Sequence, residues 1–194
     1  MSPETYLPEV TICYGGGIDS TSLIQYYMNE GFAVKGIHFN YGQPSYPGEH
    51  KAAQKIAQHY NIGIAFAKIQ PVIDSQSRNG YFGRNLLFVL CAINYFQLHS
   101  GVIALGIHAG TEYYDCTSQF TKHLQLILDG YSGGTIQLDT PFVDFTKSDI
   151  LTYCKRWEVP ISVTYSCEHN SMEPCGRCLS CLDRKEHDTN KPAL

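Results

Sequence analysis

The sequence predicts an α/β domain: an open, mostly parallel sheet with helices on both faces. Three observations predict it. Short apolar runs alternate with longer amphipathic segments along most of the chain. The first of these runs ends in a glycine cluster that leads straight into a helical pattern. No internal repeat, low-complexity stretch or long linker interrupts the alternation.

Taken in order, Val10 to Tyr14 is a short strand run, closed by Gly15-Gly16-Gly17. A helical pattern runs from about Asp19 to Glu30 and Gly31 stops it. Ala33 to Phe39 is the second strand, Glu49 to Tyr60 a second helix rich in Ala, Gln and Lys, and Ile62 to Lys68 the third strand. After a polar loop from Asp74 to Gly83, Asn85 to His99 is apolar enough for a buried helix. Gly101 separates it from a fourth strand, Val102 to Ile107. Thr117 to Asp129 reads as a helix and Ile136 to Leu138 as a short strand. Thr146, with Asp149 three residues on, resembles a capping box for a helix reaching Trp157. A cysteine-rich segment and a polar tail follow, giving an expected division into an α/β unit, 1–160, and a small appended unit, 161–194.

The chain of 194 residues is the size of one domain, and 43% hydrophobic against 16% charged residues places it among globular proteins. A formal net charge of -4 gives no support to a broad basic surface, so nucleic acid is not an expected partner. Glu4 and Glu9 stand where a secretory signal would be apolar. The longest strongly apolar stretch, Leu86 to Ile93, is too short to span a bilayer. No membrane association is expected, and the expected location is the cytoplasm. Of eight cysteines, Cys13, Cys91, Cys116 and Cys154 are scattered through structured patterns, as buried thiols are. The other four crowd into one segment, a usage that suits a reducing compartment and a metal site.

That segment reads Cys167-x7-Cys175-x2-Cys178-x2-Cys181. Four thiolates in so short a loop can close a tetrahedral site of the kind structural zinc takes, with Pro174 and Gly176 helping the turn. Cys-x2-Cys-x2-Cys also occurs around iron–sulfur clusters, so spacing alone leaves both metals open. His169 lies nearby and reads as a polar loop residue.

The glycine loop, Gly15-Gly16-Gly17-Ile18-Asp19-Ser20-Thr21, lies between the first strand and first helix, where an open α/β sheet binds anions. Glycines let the backbone approach a ligand closely, and the helix start attracts phosphate. Ser20 and Thr21 add hydroxyls, while Asp19 has two uses open to it, a contact to magnesium or a brace for the loop. The spacing is neither a Walker A motif nor G-x-G-x-x-G. It resembles the SGGxDS loop of the ATP pyrophosphatases, with Gly15 in place of the first Ser.

The loop and the cysteine knuckle together resemble the 7-cyano-7-deazaguanine synthase family within the PP-loop ATP pyrophosphatases. Further segments match in the same order: His38-Phe39-Asn40-Tyr41-Gly42-Gln43, Gly83-Arg84-Asn85, Tyr113-Tyr114-Asp115-Cys116, Thr146-Lys147-Ser148-Asp149-Ile150, and Thr164-Tyr165-Ser166-Cys167 with Cys175-Gly176-Arg177-Cys178. The resemblance implies an adenine nucleotide alpha hydrolase-like fold and use of ATP with Mg2+ and a structural Zn2+. It implies adenylation of a carboxylate, 7-carboxy-7-deazaguanine, then ammonia attack to an amide and a second round to the nitrile. The implied nucleotide contacts are Cys13, Tyr14, Gly15, Gly16, Gly17, Ile18, Asp19, Ser20, Thr21, Ser22, Leu23 and His38. Asp19, Ser20, Lys147 and Arg84 are the implied catalytic residues, and Tyr41, Gln43, Asn85 and Asp115 the substrate contacts. Cys167, Cys175, Cys178 and Cys181 are the metal ligands. A homodimer is the implied assembly.

Each of these residues also has a structural reading: Arg84 paired with a carboxylate, Lys147 solvated in a first helical turn, Asp115 capping a helix, Tyr41 and Gln43 forming a loop. Two further departures border the implied base pocket. Gln43-Pro44-Ser45 stands where the family has basic residues, and Gly106 to Glu112 lacks its usual insertion. They keep open a related ligase that stops at an amide or joins a protein amine. Gly15 keeps open a nucleotide-binding subunit without turnover, and the cysteines a tRNA-modifying thiolase.

Overall fold

Residues 7–70, 82–169 and 173–188 are described by the computed structural model of the chain. The expected polar loop, 74–83, lies outside them except for its last two residues, as does the tail beyond 188. Five strands form one wholly parallel sheet: β1 (Glu9–Cys13), β2 (Ala33–Asn40), β3 (Gly63–Lys68), β4 (Gly101–Leu105) and β5 (Ile136–Asp139), in the order β3-β2-β1-β4-β5.

Sequence alternation decides which face each residue joins. On β1, Val10 and Ile12 pack with α1 (Ile18–Asn29) and α5 (Lys147–Arg156), through Leu23, Ile24 and Ile150. Cys13 points the other way, into the cluster of Ile37, Ile103 and Leu105 with α3 (Arg84–Phe96) and α4 (Ser118–Ser132). The central strand is therefore apolar on both faces, as parallel sheets require. Trimming Ile12, which has no exposed surface, to Ala would cost about 2–5 kcal/mol. Among the described residues no helix is long and apolar enough to cross a membrane.

Helix α2 (Tyr46–Tyr60) starts three residues earlier than the sequence pattern suggests, because Pro47 is tolerated in a first turn. Helix α3 stops at Phe96, where Gln97 turns left-handed. Strand β4 leaves the sheet at Gly106, which lies against the start of α1: a Cβ there would stand 3.0 Å from the Ser20 amide nitrogen. Helix α6 (Leu179–Asp188) was not foreseen, since the segment it fills reads as a knuckle followed by a tail.

The order of strands reverses between β1 and β4. Chain leaving β1 turns toward β2, and chain leaving β4 turns toward β5, so a crevice opens beyond their carboxyl ends. A cleft of about 1470 Å³ lies there, lined by the start of α1, the loop after β4, the starts of α3 and α5, and part of α6.

Candidate active site and metal centre

The glycine loop is shaped by backbone as much as by side chains. Gly16 has φ +81°, and a Cβ there would approach the Glu49 carbonyl oxygen to 3.0 Å, so both conformation and space call for glycine. Gly17 is the N-cap of α1 and offers no side chain to cap it, leaving the first-turn amides for an anion. The Ser20 hydroxyl accepts from the Gly15 N–H at 3.2 Å and lies 3.3 Å from the Gly17 carbonyl. Gly15 itself is exposed, and a Cβ there would meet only Ser20 Oγ, at 3.9 Å.

Several residues of the implied nucleotide set are directed into the fold. Thr21 donates to the Gly17 carbonyl at 2.8 Å and bonds the Tyr14 hydroxyl at 2.9 Å. Ser22 donates to the Ile18 carbonyl at 2.9 Å and lies 3.0 Å from Cys154 Sγ. Ile18 and Leu23 are core residues. Burial pushes the Cys13 thiol well above its ordinary range, keeping it neutral. His38 is buried, its Nδ1–H donates to the Tyr14 carbonyl at 2.9 Å, and its ring stacks on Tyr46. Desolvation lowers the pKa of this imidazole, and Nε2 has no hydrogen-bond partner among the described residues.

At the cleft floor Lys147 Nζ lies 2.6 Å from Asp19 Oδ1, each side chain about one-quarter exposed. The fold sets this pair precisely enough to be useful: Asp19 sits in the first turn of α1 and Lys147 in the first turn of α5. Helix α5 begins with the expected capping box. Asp149 N–H donates to Thr146 Oγ1 at 3.2 Å, and Thr146 N–H donates back to Asp149 Oδ2 at 2.9 Å. A third group joins the pair: His108 Nε2 stands 3.8 Å from Asp19 Oδ2.

At the opposite wall Asn85 N–H donates to Asp115 Oδ2 at 3.0 Å, and the Asn85 amide group donates to the Asp115 carbonyl at 2.9 Å. Asp115 thus caps α3, a helix thirty residues earlier in the chain. Arg84, next to Asn85, keeps its charge: desolvation works against it, and the Tyr41 hydroxyl and the Asp115 carboxylate outweigh that cost. Gln43 is buried and braces its own loop, accepting from Tyr41 N–H and donating to the Phe39 carbonyl and Glu49 Oε2.

The four clustered cysteines converge, with all four Sγ atoms within 4.8 Å of one another. Cys175 and Cys181 sulfurs lie 4.0 Å apart. Against the cost of burial, amide donors from Cys175 and His169 hold the Cys167 thiol down at about 5, so it is ready to be a thiolate ligand. The donor set can hold a metal ion. The segment leading into it touches the glycine loop: Tyr165 N–H donates to the Gly16 carbonyl at 2.9 Å. The Tyr165 ring covers Gly48 in α2.

Two residues with a place in this site escape the motif reading. His108 had a positional signal, since it follows β4 at the sheet's carboxyl edge beside the switch point. Glu49 had none; its importance comes from its contact with Gly16, far off in sequence.

Comparison with known proteins then adds family membership. The sequence model described as queuosine biosynthesis protein QueC matches residues 9–79 and 73–189. A relative named 7-cyano-7-deazaguanine synthase, from Caldicellulosiruptor saccharolyticus, is 30% identical over 201 residues, covering 90% of this chain and 88% of its own. Among solved structures, the U34-tRNA thiolase NcsA from Methanococcus maripaludis with its [4Fe-4S] cluster superposes with TM-score 0.50 at 14% identity, over 96% of this chain and 65% of that one. The NH3-dependent NAD synthetase from Campylobacter jejuni gives TM-score 0.50 at 16% identity, over 84% and 72%. At these identities the two structures speak for the fold alone.

Proposed function

Since the chain belongs to the QueC family of queuosine biosynthesis proteins, we propose that it uses ATP to adenylate 7-carboxy-7-deazaguanine and then joins ammonia to the activated acid. The product is the amide and, after a second adenylation, the nitrile. The observation that carries this reading is the Asp19–Lys147 pair at the mouth of the glycine loop, inside the switch-point cleft.

The chemistry asks for positioning and charge stabilisation rather than a nucleophilic side chain. First-turn amides of α1, beside Gly16 and Gly17, receive the leaving pyrophosphate. Lys147 moves its ammonium from Asp19 to the phosphate oxygens as charge develops there. Asp19 holds Lys147 in place beforehand; magnesium, bound with the nucleotide, would supply further neutralisation of phosphate charge. Arg84 meets the acid's carboxylate, with the Tyr41 hydroxyl and the Asp115 carboxylate beside its guanidinium.

The cysteine centre fits a single zinc ion. A tetrahedral site with bonds of about 2.3 Å places its sulfurs roughly 3.8 Å apart, close to the spacing found here. A four-iron cluster has to hold its thiolates wider, because iron and sulfide stand between them. With all four positions taken by cysteines of the 161–194 segment, the ion would close that segment on itself and take no part in the reaction.

The test is incubation of the protein with ATP, Mg2+, ammonium and 7-carboxy-7-deazaguanine, following pyrophosphate and resolving products by mass. Nitrile with AMP and pyrophosphate supports the assignment. Intact ATP overturns it for this acid, and accumulation of amide alone restricts the enzyme to one round.

A further inference from the structure

We propose that His108 is the general base of the ammonia step, an inference that rests on the function proposed above. The loop after β4 carries His108 into the cleft, where its side chain is 16% exposed. Its Nδ1 lies 2.6 Å from the Ala109 carbonyl oxygen. A carbonyl oxygen only accepts, so Nδ1 carries the hydrogen and donates it. In the neutral ring this leaves the Nε2 lone pair open toward the cleft.

Two charged groups face that nitrogen. Asp19 from α1 stands 3.8 Å away, and Lys147 from α5 engages the other oxygen of the same carboxylate. A carboxylate at that distance stabilises an imidazolium that has just taken a proton, while the Ala109 bond fixes tautomer and ring orientation. The arrangement follows the logic of an oriented histidine base, with backbone as the orienting group and Asp19 as the stabiliser. Once Lys147 has turned to the phosphates, Asp19 is free to serve the imidazolium alone.

The step balances as follows. Neutral ammonia attacks the carbonyl carbon of the acyl adenylate and a nitrogen–carbon bond forms. The bond from that carbon to the AMP phosphate oxygen breaks, and AMP leaves with the electron pair. One proton passes from the nitrogen to His108 Nε2, and from there to water. No oxidant or further co-reactant is needed. In the second round the adenylated amide loses both nitrogen protons as its carbon–oxygen bond to AMP breaks and the nitrile forms; His108 takes one of them and water the other.

The variant His108→Asn tests this, because its amide keeps a donor for the Ala109 carbonyl and has no base. Three rates are read on wild type and variant: ATP–pyrophosphate exchange with the acid, amide formation from ammonia, and hydroxamate formation from hydroxylamine. The nitrogen of the hydroxylamine adduct is much more acidic and gives its proton to water unaided. The expected result is unchanged exchange, unchanged hydroxamate formation, and ammonia turnover lower by about a hundred-fold, the scale of a general base. Added imidazole should restore part of the ammonia rate.

Equal ammonia turnover in the variant overturns the proposal. So does a parallel fall in all three rates, which would give His108 a role in adenylation or folding. If wild-type protein gives no exchange with the acid, the parent reading fails and the base falls with it.

Discussion

The Tyr165 amide donates to the Gly16 carbonyl at 2.9 Å, so the segment that carries the four clustered cysteines also holds the glycine loop. Cys167 lies two residues further on and is buried in the same small cluster as Tyr165, Cys178 and Cys181. The cysteine centre and the glycine loop are consequently one mechanical unit. The left-handed Gly16 is fixed from one side by Glu49 and from the other by Tyr165.

Removing the metal should therefore harm nucleotide binding as well as stability. Chelation, or Cys178→Ser, is expected to lower Tm by more than about 4 °C, given about 2–4 °C per kcal/mol for a chain of this size. The KM for ATP should rise several-fold while far-UV dichroism of the sheet is retained. Thermal denaturation and steady-state kinetics at varied ATP on metal-free protein check both; an unchanged KM would separate the two sites.

Gly48→Ala should destabilise, against the usual sign. Alanine in a helix interior normally gains about 1 kcal/mol over glycine. Here the added methyl would fall on the Tyr165 ring, which must move and take the Gly16 contact with it. A lower Tm with weaker ATP binding is the expected pair of results, measured by thermal denaturation and calorimetry.

Gly15→Ser should raise the adenylation rate. The position is exposed and a Cβ there meets only Ser20 Oγ at 3.9 Å, so the fold tolerates the side chain. A new hydroxyl bonding a charged phosphate is worth on the order of 1.5–3 kcal/mol, or roughly ten- to hundred-fold in rate if made in the transition state. ATP–pyrophosphate exchange measures it directly, with Tm expected to stay where it is.

Helix α5 should loosen in acid through its cap. The Thr146 hydroxyl, then the Thr146 amide, hold the Asp149 carboxyl below its ordinary value. A depressed folded pKa gives stability that is complete above the unfolded value, about 3.9, and lost as pH falls below it. Asp149→Asn should thus lower Tm at pH 7, and the gap from wild type should close as pH drops past about 4. A gap constant from pH 7 to 3 would remove the carboxylate from the account.

The fold was legible because its signals are local. Alternation placed Val10, Ile12, Ile103 and Leu105 in strands, Gly31 ended α1, and Thr146 with Asp149 announced α5. Helix α6 was hidden because Cys178 and Cys181 occupy positions that a chain with no metal would give to apolar residues. Within the cleft, spacing brought Asp19 and Lys147 to notice as separate motifs, but their 2.6 Å contact depends on two helix starts far apart in sequence. Gln43 carried a motif signal and is engaged in bracing, since only the packed loop reveals that its amide faces Phe39 and Glu49. His108 had no motif at all.

The tie between Tyr165 and Gly16 also bears on how the protein is made. Chains emerge from the ribosome N-terminus first and fold as they emerge. Gly16 is therefore synthesised early, and its sheet strands follow well before Cys181 exists. An unfinished chain would own the nucleotide loop without the clasp that shapes it. On the proposed function, competence to bind nucleotide would then arrive with the last cysteine, and a truncated product would idle instead of consuming ATP.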